Sequence, residues 1–418
     1  MSKIQDTLLG TLDEFKADLR RHGCADVRNL TTNDLTNDIH PLFSHDRWAT
    51  GAHQCTQAVY SRILPALQLA SRLLLEDCTL GWFCHVAYGV VCQSSTGKEY
   101  LACSKDEKKP HSTRLVKQHL EALARVVGFG FEPSLHPVHN AFGACYGSPA
   151  GISDTAQWPS IEKQISNTAN KDRGTPSFIV LHPNFRRFFN DNYASATPST
   201  QYRTMFTFAQ TLVHEVAHAY AAWLGHKGTI LYSINDTRAE LGYSWEKEVL
   251  GEEIWASSVN EIGKGCSVLI STRSILYRRV QDRDRMLRAM VGGKDVRWKS
   301  LRLSGEAHPC EDPIMTFIYR SGPYEFHGPE DQGDGLQTIH CLYAIPMKWI
   351  MAWFKESEWQ ARRRTWEDTG EYSPPKLPDT FILKLERVSN GNRVERYCHH
   401  SLDASVPQSD TDVDMMDV

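Results

Sequence analysis

The chain has 418 residues, room for two or three domains, and its 41% hydrophobic and 23% charged content excludes wholesale disorder. Lys+Arg (46) nearly balance Asp+Glu (50) for a net charge of -4, so no global positive field draws it to nucleic acid. The eleven cysteines run from Cys24 to Cys398 without a CxxC pair, which excludes a Cys-ligated zinc finger and a clustered disulfide framework. A reduced compartment, cytoplasmic or nuclear, is the expectation.

In chain order, Ile4, Leu8, Leu12, Phe15 and Leu19 recur every three or four residues with acids between them. This predicts an amphipathic helix rather than a signal peptide, and no run approaches the ~18 apolar residues of a membrane span. Residues 1–103 read as mainly helical, with a well-buried helix over Val59–Leu75 in which Pro65 is a candidate kink. Ser104–Ser112 reads as a loop and Thr113–Val127 as a helix. Ala141–Tyr146 and Ser177–Leu181 are short, apolar and bounded by Gly or Pro, as strands are. A helix from Tyr202 or Arg203 to Trp223 follows, then a second over Ala239–Trp255. Cys266–Leu287 and Pro346–Trp366 also read as helices, and Ser401–Val418 as an acidic, disordered tail. These segments predict a helical region (1–112), a core (113–262), a mixed region (263–400) and the tail (401–418).

One constellation carries chemistry. Thr211–Tyr220 reads TLVHEVAHAY and contains HExxH within a predicted helix. Four residues turn a helix by about 400°, so His214 and His218 share one face, one turn apart. Two imidazoles at that separation can share one tetrahedral Zn²⁺. Glu215 is offset by about 100°, so it reaches a water at the metal without ligating and suits a general base. The uncharged flanks Leu212, Val213, Val216, Ala217 and Ala219 keep the surroundings dry. The plainer alternative is a buried helix whose histidines merely hydrogen-bond, but burying two His and a Glu without a metal is costly.

With these residues, TLVHEVAHAY resembles the extended motif of zincin metallopeptidases. The two strands FGACYG (142–147) and FIVLHP (178–183) ahead of the HExxH helix are similar to small zincin cores, and AELGYSWE (239–246) is similar to a segment of uncharacterised HExxH proteins of filamentous fungi. The resemblance covers about 120 residues, Ala141–Trp255. It implies an α+β, zincin-like core in a mostly helical chain, and a zinc-dependent metallopeptidase that hydrolyses peptide or protein substrates with water activated by Glu215.

The third ligand fixes the class. The metzincin pattern HExxHxxGxxH fails, because Ala221 and Leu224 stand at its Gly and His positions. Gluzincins take a Glu from a downstream helix, which ranks Glu240 first, 22 residues after His218, and Glu246 a close second. Glu248 and Glu252, one turn apart beside Lys247, read as a solvated face. Six residues turn a helix by roughly 240° net, so Glu240 and Glu246 cannot both point at one metal from a continuous helix. A second resemblance, to the Spartan/SprT-like DNA-associated proteases, would use His226 of the broken His226-Lys227-Gly228, only 8 residues after His218. A catalytically inert zinc-binding interaction module is the remaining alternative, and the retained Glu215 argues against it.

Arg273–Arg302 holds ten basic residues against three acids and is the place where nucleic acid or an acidic partner would bind. Tyr277, Val280, Leu287 and Met290 run through it at helical spacing, which favours an amphipathic helix with a solvated basic face. Tyr319, Tyr324 and His327 lie near Gly-rich loops as candidate transition-state donors that no spacing selects among.

Overall fold

The computed structural model describes residues 16–132, 141–147, 158, 176–256, 262–277, 281, 285, 299–301, 337–378, 381–388 and 391–398, apart from positions 96, 108, 227, 229, 235, 237 and 238. The acidic tail, most of the basic run, Tyr319, Tyr324, His327 and the start of the first predicted helix lie outside the described residues.

The fold mixes helices and sheets. In order come α1 (Lys16–Arg21), α2 (Gln57–Leu75), α3 (Gly81–Tyr88), β1 (Val90–Gln93), β2 (Glu99–Ala102), α4 (Pro110–Leu123), β3 (Val127–Phe131), β4 (Gly143–Tyr146), β5 (Ser177–Leu181) and α5 (Pro183–Arg187). Then follow α6 (Pro198–Trp223), α7 (Leu241–Leu250), β6 (Ile254–Ala256), β7 (Leu269–Tyr277), β8 (Lys299–Leu301), β9 (Gln337–Ala344), α8 (Met347–Ala352), α9 (Glu356–Thr369), β10 (Phe381–Val388) and β11 (Gly391–Cys398). No helix among the described residues is long and apolar enough to cross a membrane.

Three sheets form. A small one has the order β3-β5-β4, with β3 parallel and β4 antiparallel to β5. The second, β6-β7-β9-β10-β11-β8, is antiparallel throughout, and β1 and β2 form a hairpin that Leu231 joins through a parallel bridge to Tyr100. Among the described residues a large apolar core runs from Leu35 to Ile382 and takes in residues of α2, α6, α7 and α8, with a smaller cluster of Ala49, Trp158 and Phe178 apart from it.

Helix α6 is the axis of this core. Thr197 caps it by accepting the Thr200 N–H, Pro198 occupies its first turn, and Gly225, at φ +84°, lies just past its end. It is buried around most of its circumference, as a central helix must be. Its threonines tolerate this because Thr204, Thr207 and Thr211 return their hydroxyls to the carbonyls four residues back.

Several expectations need correction. The region predicted as mainly helical also carries one short hairpin, β1 and β2. The helix predicted to reach Val127 stops at Leu123, and Val127 opens the fully buried strand β3. Ala239–Trp255 is not one helix: α7 ends at Gly251 in the left-handed region (φ +80°), where glycine costs least, and the chain continues into β6. The stretch predicted as a helix from Cys266 begins instead as β7, whose ladder with β6 and β9 satisfies its backbone and outweighs a helical spacing. Pro346–Trp366 divides into α8 and α9 because Trp353 and Phe354 are driven into the core at the join, while Asp34 accepts the Glu356 N–H that starts α9.

Candidate metal centre

Helices α6 and α7 build the site between them. His214 and His218 project from the same face of α6 with ring centroids 5.2 Å apart. Glu240 stands immediately before α7 and caps it, its Oε2 accepting the Tyr243 N–H at 2.6 Å. That bond aims Oε1 at the histidines, 2.5 Å from His218 Nε2 and 3.5 Å from His214 Nε2. His214, His218 and Glu240 therefore form a group able to hold a metal ion, their ligand atoms all within 4.8 Å of one another.

Glu246 stands on the other side of the His214 ring, its Oε1 2.7 Å from Nδ1. This carboxylate takes the Nδ1–H and leaves Nε2 facing Glu240. In the metal-free protein a proton lies between Nε2 and the carboxylate, and a metal ion would take that proton's place; two imidazoles and a carboxylate are a donor set that suits zinc. The two acids rank apart: Glu240 joins the group and Glu246 orients His214 from behind. His226 is not in the group; its Nε2 lies 2.7 Å from the Val86 carbonyl oxygen.

Two glycines permit the close approach, and neither stands out in the sequence as functional. A Cβ added at Gly242 would fall 2.3 Å from His214 Nε2, so only glycine lets α7 press against the ring. A Cβ at Gly143 of β4 would sit 3.0 Å from Glu215 Cγ and 3.1 Å from its Oε1, which places the Glu215 side chain against the edge strand of the small sheet. The one available signal for Gly242 is its place between Glu240 and Glu246. Tyr243 adds an edge-on ring contact to His214 at 4.9 Å and stacks obliquely on Trp255 at 5.0 Å.

Burial and charge oppose each other in this cluster. Burial alone would discharge the His214 ring, but Glu240 and Glu246 outweigh it and hold its pKa well above the ordinary value. Burial raises Glu215, and the two histidines only partly offset it. Burial likewise raises Glu246. For Glu240 burial is overcome by His214 and His218, and its carboxyl titrates far below the usual range. His218 keeps 32% of its side chain exposed against 13% for His214, so the cluster opens to solvent on the His218 side.

Comparison with family models, with curated proteins and with solved structures finds no match to this chain.

Proposed function

We propose that the protein is a zinc-dependent metallopeptidase of gluzincin type, with a zincin-like core formed by the β3-β5-β4 sheet and α6. The observation that carries this reading is the convergence of His214 Nε2, His218 Nε2 and Glu240 Oε1, with Glu246 orienting the His214 ring through Nδ1. These three residues would hold Zn²⁺, which when bound acts as a Lewis acid on a carbonyl and acidifies water.

The chain's own residues supply the proton traffic. A carboxylate oxygen of Glu215 takes a proton from the attacking water as its oxygen bonds to the peptide carbonyl carbon. The same carboxyl passes that proton to the amide nitrogen as the C–N bond breaks, giving an acid and an amine. Its raised pKa suits a group that must both accept and release a proton. Strand β4, antiparallel at one side of the small sheet and in contact with Glu215 through Gly143, is suited to align an extended peptide substrate.

The alternative as a Spartan/SprT-like DNA-associated protease needs His226 as a ligand, and that ring is engaged with the Val86 carbonyl instead. The deciding experiment is peptide cleavage by the zinc-loaded protein, with and without a chelator, beside Glu215→Gln. Chelator-sensitive cleavage lost in a variant that still binds zinc supports the enzyme. A zinc-loaded wild type that cleaves no member of a diverse peptide library leaves the inert zinc module as the reading.

A further inference from the structure

We propose a second metal site, for a zinc-class cation, formed by His85 of α3, Cys103 after β2, and Glu107 in the loop before α4. One ring nitrogen of His85, the Cys103 thiol and a Glu107 carboxylate oxygen lie within 4.8 Å of one another. Two backbone contacts aim them. The Tyr232 carbonyl oxygen, 3.0 Å from His85 Nε2, takes the Nε2–H and leaves Nδ1 turned toward the other two residues. The Ser104 N–H occupies Glu107 Oε1, which turns Oε2 toward His85 Nδ1 at 3.0 Å. A ring nitrogen and a carboxylate oxygen thus face each other, with a thiol beside them and no lysine or arginine among the described residues paired to Glu107.

Such a juxtaposition calls for a cation. A proton on Nδ1 would satisfy the nitrogen and the carboxylate but would leave the convergent thiol without a role. A thiolate, an imidazole and a carboxylate together are a borderline-soft donor set that suits zinc, with a fourth position left to water because Cys103 is exposed. Nucleophilic use of Cys103 is disfavoured by the same geometry. A thiol nucleophile needs a ring nitrogen of its own, and both nitrogens of His85 already face oxygen atoms.

The location suggests what the ion would fasten. Trp82 of α3 donates to Ser244 Oγ of α7 at 2.9 Å and stacks on Tyr232 at 6.0 Å, and Leu231 is bonded to the hairpin through the carbonyl of Glu99 and the amide of Leu101. A metal on His85, Cys103 and Glu107 would therefore brace the segment that leads from the end of α6 to Glu240. It does not depend on the peptidase reading.

Cobalt loading of the full-length protein tests this, because thiolate-to-cobalt charge transfer reports Cys103, whereas two histidines and a glutamate give none. The expected result is a charge-transfer band that disappears in Cys103→Ser, persists in His218→Ala and weakens in Glu107→Gln. Zinc content should fall by about one ion per chain in Cys103→Ser. Cys103 is exposed, so its substitution leaves folding intact, which circular dichroism of the metal-free proteins checks. A band that is absent in the wild type, unchanged in Cys103→Ser, or lost in His218→Ala would overturn the assignment. Alkylation of Cys103 at the same rate with and without zinc would also overturn it.

Discussion

Glu246 Oε1 lies 2.7 Å from His214 Nδ1, on the side of the ring away from Glu240. The contact orients the His214 ring so that Nε2 is turned toward Glu240, the nitrogen that a bound metal would meet once it displaces the proton there. Partners that orient a ligand in this way typically contribute 10–100-fold in metal affinity, at roughly that order of magnitude. Glu246→Ala should weaken zinc binding by about that factor while the protein still folds. Competition against a chelating dye measures it, and unchanged affinity would show that Glu246 does not orient the ligand.

Gly242→Ala should be as damaging as loss of a ligand, although alanine favours a helix. The new methyl group would lie 2.3 Å from Nε2, so either the His214 ring or α7 must move. Zinc affinity should fall at least about 10-fold with little loss of helical signal by circular dichroism. Wild-type affinity in this variant would mean that the ring approaches the metal from another direction.

Ligands and base should separate by mutation. His214→Ala and His218→Ala should lose the zinc of this site, whereas Glu215→Gln should retain it and lose activity by about 10²–10⁴-fold, the usual contribution of a positioned general base. Zinc analysis alongside turnover distinguishes the two classes. A Glu215→Gln protein without metal would show that Glu215 is a ligand.

Metal-free stability should depend on pH through His214. Its folded pKa is raised above 6.5, so its stabilising contribution is complete below pH 6.5 and is lost as pH rises through the folded value. Glu240 has the opposite sign: its carboxyl is depressed from 4.5, so its contribution is present above that pH and lost as pH falls through the folded value. Melting with a chelator present should therefore drop in the alkaline direction from pH 6.5. Zinc affinity should rise over the same range, because metal must displace the His214 proton. A chelated protein equally stable at pH 6 and about pH 9 would contradict the assigned charge on His214.

A second acid-sensitive point lies far from the site in sequence. Burial holds His40 down to about 4, and its Nδ1 accepts the Leu42 N–H at 3.1 Å, so the ring must be neutral. Stability from this group is present above pH 6.5 and lost as pH falls toward 4, on the order of 3 kcal/mol in all. His40→Asn, whose Oδ1 can accept the same N–H, should shrink the loss of melting temperature between pH 7 and pH 4.5. The same slope in variant and wild type would place the acid sensitivity elsewhere.

What the sequence determined here is local. His214, Glu215 and His218 lie within two turns of α6, and helical periodicity alone places two imidazoles on one face with a carboxyl beside them. Strand β5 is legible over Ser177–Leu181 because a short apolar run bounded by Pro and polar residues has few other options. Tertiary structure decided the rest. Which of Glu240 and Glu246 reaches the Nε2 atoms of both histidines depends on where α7 begins and how closely it lies against α6. That is settled by a cap on Tyr243 and by the missing side chain of Gly242. Strand β7 likewise exists because β6 and β9 flank it, and such pairing lies beyond any local window. Contacts between residues distant in the chain leave no periodic signature, so His85, Cys103 and Glu107 come together only once α3, the hairpin and Tyr232 have packed.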